Sequence, residues 1–274
     1  MAEAEYDTII IGGGPGGLFA AVISRLRGMN VLVLESGAFG GPLVSLYPEK
    51  LVLNYPGFPD GVTAREIGER LVAQAANLGV EMRCERVLKI TKNLEVETGE
   101  ETYRAKAVII AAGSSPRSIG ILGEAEFNTM DRGVYYFVTD PERFRGKRVV
   151  VAGGGDTAVD SAGALEGVAK SLTIIHRRDK FRAFEANAEK VLKSPKIDVM
   201  FESEIVEIKG GDSVESVVLK GKSEAATEID ADAVILAFGL VPNNEIFADL
   251  GLELDYEGRI ITDSKQKTNL DGIY

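Results

Sequence analysis

Gly12, Gly14 and Gly17 stand in a Gly-x-Gly-x-x-Gly pattern between the β-branched run Thr8-Ile9-Ile10-Ile11 and a helix-like stretch from Leu18 to Arg27. The missing side chains have separate uses. Gly12 permits a tight turn, Gly14 lets a pyrophosphate reach the backbone, and Gly17 lets helix and strand pack closely, with the anion at the helix N-terminus. Val31-Leu-Val-Leu34 reads as a second buried strand that stops at Glu35, 23 residues after Gly12, where a carboxylate can accept hydrogen bonds from a ribose. Glycines alone are a weak signal, but strand, motif, helix, strand and acid in that order are specific. Taken singly, Glu35 also reads as a solvated strand end.

The plan recurs where Arg148-Val-Val-Val-Ala152 enters Gly153-Gly-Gly155-Asp156-Thr-Ala158, ahead of a helix-like stretch and the strand Leu172-Thr-Ile-Ile175. Counting 23 residues from Gly153 reaches His176, followed by Arg177, Arg178 and, one turn on, Arg182. A carboxylate there would repel a 2'-phosphate, whereas guanidinium groups bind one through charge-assisted bidentate bonds. The first loop therefore suits an unphosphorylated adenosine ribose, as in FAD. The second, through Gly153, Gly155, Asp156, Ala158 and the basic run, suits NADP(H). A solvated basic turn is the other reading of the run. His176 reads as a packed strand-end residue, and the lone Cys84 as a small buried residue on a meander strand.

These loops need a frame to hold them. Tyr103 to Pro116 matches Ile229 to Pro242 at a constant offset of 126, each a buried strand ending in a glycine turn, at Gly113 and Gly239, and a proline. Val80 to Tyr103 and Val199 to Leu219 read as small antiparallel meanders. The expected fold class is α/β with two Rossmann-like dinucleotide-binding domains. The second domain, 117–236, is inserted into a discontinuous first domain made of 1–116 and 237–274. A length of 274 residues accommodates two such cores.

Composition removes other classes. With 42 acidic and 31 basic residues the net charge is -11, a poor match to nucleic acid. One cysteine and one histidine cannot build an internal disulfide, a multi-ligand zinc site or a Cys-x-x-Cys centre, and no Gly-x-Ser-x-Gly elbow occurs, so no metal site is expected. No apolar run approaches the ~18 residues of a membrane span. The acidic start Met1 to Tyr6 lacks the regions of a signal peptide, which makes the cytoplasm the expected location.

The run His176-Arg-Arg-Asp-Lys-Phe-Arg-Ala183 is close to the NADPH signature of the two-dinucleotide-domain flavoproteins of the thioredoxin reductase type, which the whole chain resembles. Those enzymes carry a Cys-x-x-Cys shortly before the second glycine loop, where this chain reads Tyr136-Phe137-Val138-Thr139-Asp140. Leu46-Tyr47-Pro48-Glu49-Lys50, Gly57-Phe58-Pro59 and Tyr135-Tyr136-Phe137-Val138 narrow the resemblance to the thioredoxin-reductase-like ferredoxin/flavodoxin-NADP+ reductases, which lack the dithiol. The resemblance implies FAD and NADP(H) as cofactors, a homodimer, and a ferredoxin or flavodoxin as electron partner. It also implies hydride transfer from nicotinamide C4 to flavin N5, followed by single-electron release, in either direction. The chemistry then resides on the flavin and no side chain is assigned as catalytic.

The resemblance places Tyr47 against the flavin ring, a core or turn tyrosine being the other reading, and puts Gly41 and Gly113 among the cofactor-binding positions. Two departures stand out. Gly40-Gly41-Pro42-Leu43 has proline where the family usually has a glutamine that contacts the flavin. The family also continues beyond the point matched by Tyr274 into an Ala-Gly-Asp motif, a helix and a tail, so a chain ending at Tyr274 is expected to bind FAD poorly. Rival readings are a reductase using an external dithiol, oxygen or quinone, and a non-enzymatic NADP(H)-binding redox sensor. From Asp140 to Lys196 there are 12 basic and 8 acidic residues, a local +4, which nominates Arg143, Arg145, Lys147, Lys190, Lys193 and Lys196 for docking an acidic carrier.

Overall fold

The computed structural model describes residues 5–129, 131–221 and 226–274. The reading of the first four residues as part of an acidic start without a leader lies outside them. The chain divides into two compact units, one of Met1–Ser115 with Val241–Tyr274 and one of Pro116–Leu240. The return crossing thus falls four residues later than the expected 236. Ser114–Pro116 and Leu240–Pro242, the two connections, pair as a short ribbon, which accounts for the repeated Gly-x-x-Pro ending.

The first unit is built on a six-stranded sheet in the order Glu81–Arg83, Val31–Leu34, Glu5–Ile11, Thr102–Ile110, Glu95–Thr98, Val87–Ile90. The first four strands are parallel and the last two antiparallel. Side chains alternate between the faces of a strand, and both faces here are covered. Ile10, Val31 and Val33 pack against Leu18, Ala21 and Val22 of the helix Pro15–Leu26 and Ala75 of the helix Ala64–Asn77. Ile9, Ile11, Leu32 and Leu34 face the other way, toward Val96, Tyr103, Phe247, Leu250 and Ile273. Thr63 caps the helix Ala64–Asn77, its hydroxyl accepting the Glu66 N–H at 3.2 Å in a Thr-x-x-Glu arrangement. The chain end returns to this sheet. Ile110 N–H donates to the Tyr274 carbonyl at 2.7 Å and Tyr274 N–H to that of Val108 at 2.9 Å, along an edge the meander leaves open.

The second unit carries a five-stranded parallel sheet in the order Val134–Tyr135, Ala233–Leu236, Arg148–Ala152, Ser171–His176, Ile197–Phe201. The helices Asp156–Leu165 and Glu185–Lys193 cover the face that holds Val149, Val151, Leu172, Ile174 and Ile235. A three-stranded antiparallel sheet, Glu204–Gly210, Val214–Lys220 and Thr227–Asp230, covers the face with Val150, Ala152, Ile175, Val234 and Leu236. Among the described residues no helix is long and apolar enough to cross a membrane.

Three expectations need correction. Glu81–Arg83 and Ile197–Phe201 are parallel edge strands, so the meanders begin only at Val87 and Glu204. The two meanders also differ. In the first unit the nine-residue strand Thr102–Ile110 pairs with Glu95–Thr98 at its start and with Glu5–Ile11 along its length, keeping the meander in the main sheet. In the second unit the matching stretch breaks at Ala231-Asp232. The Asp232 carboxylate accepts the Arg148 backbone N–H at 2.7 Å and its Nη2–H at 2.6 Å, which holds its pKa below the ordinary carboxylate value. The stretch therefore belongs to two sheets instead of one. Finally, Cys84 is exposed, with its thiol directed at the Gly37 carbonyl, 3.4 Å away. It follows the end of an edge strand, where no layer covers it.

Ile235 lies fully buried in a central strand between the helices and the neighbouring strands. Ile235→Ala should lower the unfolding free energy of the second unit by about 2–5 kcal/mol, read from the urea midpoint at unchanged slope.

Candidate functional site

In the first unit the glycine loop has no room for side chains at two points. A Cβ on Gly12, whose φ is +106°, would lie 2.2 Å from the Ala111 carbonyl oxygen, and one on Gly17 would lie 1.9 Å from the Gly12 oxygen. Strand end and helix start are therefore in backbone contact. Gly14, the N-cap of the helix Pro15–Leu26, has nothing within 4 Å of its Cβ position, so the helix N-terminus is open on that side. Pro15 at the first helical position sacrifices an N–H that has no helical partner. The turn at Gly40–Gly41 closes over the loop. Gly40 N–H donates to the Gly13 carbonyl at 2.8 Å, and a Cβ on Gly41 would come within 3.1 Å of Gly14 Cα.

Glu35 is tied into the same loop. Its Oε2 accepts the Gly13 N–H and its Oε1 the Gly37 N–H, each at 2.7 Å. Both oxygens keep acceptor capacity for hydroxyl groups. A cleft of about 450 Å³ opens at the carboxyl ends of the parallel strands, lined by Gly12, Glu35, Ser36, Arg86, Ala112 and Asn243 among others. Sequence reasoning missed Arg86 and Asn243. No carboxylate among the described residues pairs with Arg86. Asn243 donates from Nδ2 to the Ala112 carbonyl at 2.9 Å, accepts from the Ser115 hydroxyl at 2.6 Å, and donates its backbone N–H to Gly113 at 3.1 Å. The only signal for it was its place after the repeated Gly-x-x-Pro. Gly113, with φ +70°, makes the turn that receives it. Tyr47 is half-buried on the turn after the short helix Pro42–Ser45, with Lys50 Nζ 5.9 Å from its ring centroid, and does not line this cleft.

The second loop repeats the frame. A Cβ on Gly153 would lie 2.5 Å from the Ala237 oxygen. Gly155, the N-cap of the helix Asp156–Leu165, is again open on the Cβ side. Ala158, fully buried, takes the place that Gly17 holds in the first loop. His176 is 6% exposed, and its ring lies flat against the loop, since a Cβ on Gly154 would sit 2.4 Å from three ring atoms. Phe181 stacks beside it at 6.1 Å between centroids. Burial, with the positive field of Arg182, Arg178 and Arg177, holds the imidazole pKa below its ordinary value, and Nε2 has no hydrogen-bond partner among the described residues.

Arg177, Arg178 and Arg182 are exposed, and no carboxylate among the described residues pairs with any of them. Other arginines do find partners: Arg143 pairs with Asp131, and Arg145 with Glu142 at 2.6 Å. The nominated docking patch is thus partly neutralised from within, Lys193 also being paired with Glu189, while Lys190 and Lys196 have no acidic partner among the described residues. Three guanidinium groups without carboxylate partners among the described residues, near an open helix N-terminus, could hold a pyrophosphate and a further phosphate monoester. One helix N-terminus with an adjoining carboxylate could hold a pyrophosphate and a ribose. The residues present fit NADP(H) on the second loop and FAD on the first.

A proton-linked consequence follows for His176. Its folded-state pKa lies below the ordinary 6.5, so as pH falls below that value the unfolded chain takes up a proton that the folded chain refuses. Stability of the second unit should therefore be complete above pH ~6.5 and decline from there toward the folded pKa. His176→Phe keeps a flat ring on Gly154 and should flatten this decline, measured by urea unfolding at about pH 7.5 and 5.5.

Residues 6–274 match the family described as pyridine nucleotide-disulphide oxidoreductase. The ferredoxin–NADP reductase of Metallosphaera sedula is 38% identical over 99% of this chain and 83% of its own length. The thioredoxin reductase of Treponema pallidum is also 38% identical, over 99% of this chain and 88% of its own. The crystal structure of Lactococcus lactis thioredoxin reductase superposes with a TM-score of 0.92 at 36% identity, covering 98% of this chain and 88% of that one. The chain belongs to the pyridine nucleotide-disulphide oxidoreductase family, as an oxidoreductase of the thioredoxin-reductase-like type that uses FAD and NADP(H).

Proposed function

We propose that this protein passes electrons between NADP(H) and a ferredoxin or flavodoxin, as a cytoplasmic homodimer whose FAD-binding unit is Met1–Ser115 with Val241–Tyr274 and whose NADP(H)-binding unit is Pro116–Leu240. The observation that carries the reading is the pair of glycine loops with opposite charge at the same offset, a carboxylate at Glu35 and unpaired guanidinium groups from Arg177 onward. The choice of partner is supported by Tyr136 to Asp140, which has no cysteine where thioredoxin reductases place their dithiol, and by the relatives that carry the name ferredoxin–NADP reductase.

Bound FAD supplies the two-electron and one-electron chemistry that no side chain here offers. The chain's own part is to bind and orient. The open helix N-terminus at Gly14 holds a pyrophosphate, and Glu35 accepts from ribose hydroxyls with the lone pairs its backbone donors leave free. Gly155 opens the equivalent site for the second dinucleotide, and Arg177, Arg178 and Arg182 select the 2'-phosphate. His176 remains neutral and pads the loop. Tyr47 is available for aromatic contact from the first unit, and the exposed single thiol Cys84 has no role in the transfer. For the dimer, the support is the exposed apolar stripe of Phe19, Ile23 and Leu26, which share one face of the helix Pro15–Leu26 at 57%, 39% and 64% exposure.

Nucleotide choice tests the site assignment. Arg177→Ala with Arg178→Ala should raise the KM for NADPH by roughly ten- to a hundredfold per residue and leave NADH little changed. Equal losses for both would refute it. The partner is tested by salt. With a net charge of -11 overall and a local +4 between Asp140 and Lys196, transfer to ferredoxin should slow as salt rises from about 0.05 to 0.5 M, while a small neutral acceptor is unaffected. A flat or rising ferredoxin rate would show that the patch does not steer.

A further inference from the structure

Asp156 sits in the first turn of the helix Asp156–Leu165, beside the open N-terminus that holds a pyrophosphate. A carboxylate there is favoured by the helix dipole but repels a bound anion, and the structure gives it a second task. Asp156 Oδ1 accepts the backbone N–H of Phe184 at 2.9 Å. Two residues earlier, Arg182 N–H donates to the Gly154 carbonyl at 2.7 Å. Alternate N–H groups of one segment are thus fastened to alternate residues of the glycine loop.

Phe184 is the N-cap of the helix Glu185–Lys193, which has no side-chain cap of its own. One turn further along both helices, Asn187 Nδ2 donates to Asp160 Oδ1 at 3.3 Å and repeats the stitch. The other end of the basic loop is held where Glu202 N–H donates to the Arg178 carbonyl at 3.1 Å. Arg177, Arg178, Lys180 and Arg182 therefore lie on a loop clamped at both ends, and at the Arg182 end Asp156 is the side chain that holds the loop's last residue before the helix, ahead of the pairing of Asn187 with Asp160 one turn on.

We propose that Asp156 is a positioning residue that sets 2'-phosphate selectivity: by holding Phe184 it keeps the basic loop in place against the glycine loop before the nucleotide arrives. The inference rests on the NADP(H) assignment made above. Holding cations in advance removes the ordering cost of binding, so the latch benefits the phosphorylated nucleotide alone. Its negative charge beside the pyrophosphate weakens both nucleotides equally. Losing the latch and the charge together must then separate the two ligands.

The test is calorimetric titration of the full chain with NADP+ and NAD+, which needs no turnover. Asp156→Ala should raise the Kd for NADP+ by roughly tenfold and leave that for NAD+ unchanged or lower. Asp156→Asn keeps an acceptor oxygen at Oδ1 and should retain the NADP+ preference of the parent within about threefold. The latch is overturned if Asp156→Ala weakens both nucleotides by the same factor, if it changes neither, or if Asp156→Asn loses selectivity as Asp156→Ala does. A parent protein that binds NADP+ and NAD+ equally well would instead remove the NADP(H) assignment, and the inference with it.

Discussion

In both units a helix begins where the strand before its glycine loop stops, and the loop between them is packed against backbone. The Cβ that Gly17 lacks would stand 1.9 Å from the Gly12 oxygen, and the one that Gly153 lacks would stand 2.5 Å from the Ala237 oxygen. In the first unit no side chain fits between strand end and helix start, whereas in the second the Ala158 methyl fills that place and it is Gly153 that has no room for a Cβ. The helix therefore presents its first N–H groups, which have no acceptor within the helix, to open space at the end of a parallel sheet. Such an end is satisfied by water or by an anion, and the two loops inherit their capacity for phosphate from that packing alone. Everything that distinguishes one site from the other is added around this shared constraint.

What is added begins at the same offset of 23 residues. Glu35 and His176 both brace the middle glycine of their loop, one by hydrogen bond and one by packing. The Glu35 carboxylate takes the Gly13 N–H at 2.7 Å, while the His176 ring lies on Gly154. The mechanical task is common and the charge left behind is not. A carboxylate remains in the first cleft, whereas a neutral imidazole in the second leaves the field to the arginines that follow it. On the proposed assignment, the brace in the first loop is also what would repel a 2'-phosphate, while in the second the brace is uncharged and the arginines beyond it would attract one.

The repeated strand at an offset of 126 shows how a single carboxylate can redirect a sheet. Thr102–Ile110 runs unbroken, so its meander stays within the main sheet. In the second unit Asp232 turns aside to Arg148, and the residues before and after it join different sheets. The separate three-stranded sheet then covers one face of the parallel sheet, in the second unit, with Ile205, Ile208, Val217 and Leu219. Similar segments thus serve as an extension of one sheet and as a cover for another.

The parallel strands, both glycine loops and the opposite charges beside them are legible in the order of residues alone. Each of these is local: a run of β-branched residues, a spacing of glycines, or an acid or arginine a set number of residues onward, all enforced by the geometry of strand, turn and helix. The rest depends on how distant segments pack. Asn243 reaches the Ala112 carbonyl across 131 residues, and Phe184 meets Asp156 across 28, pairings that no spacing rule encodes. Cys84 has the composition of a buried position but follows an edge strand, because burial depends on which layers cover an element rather than on the element's own residues. Periodicity specifies which face of a strand is apolar. Only packing specifies what that face meets.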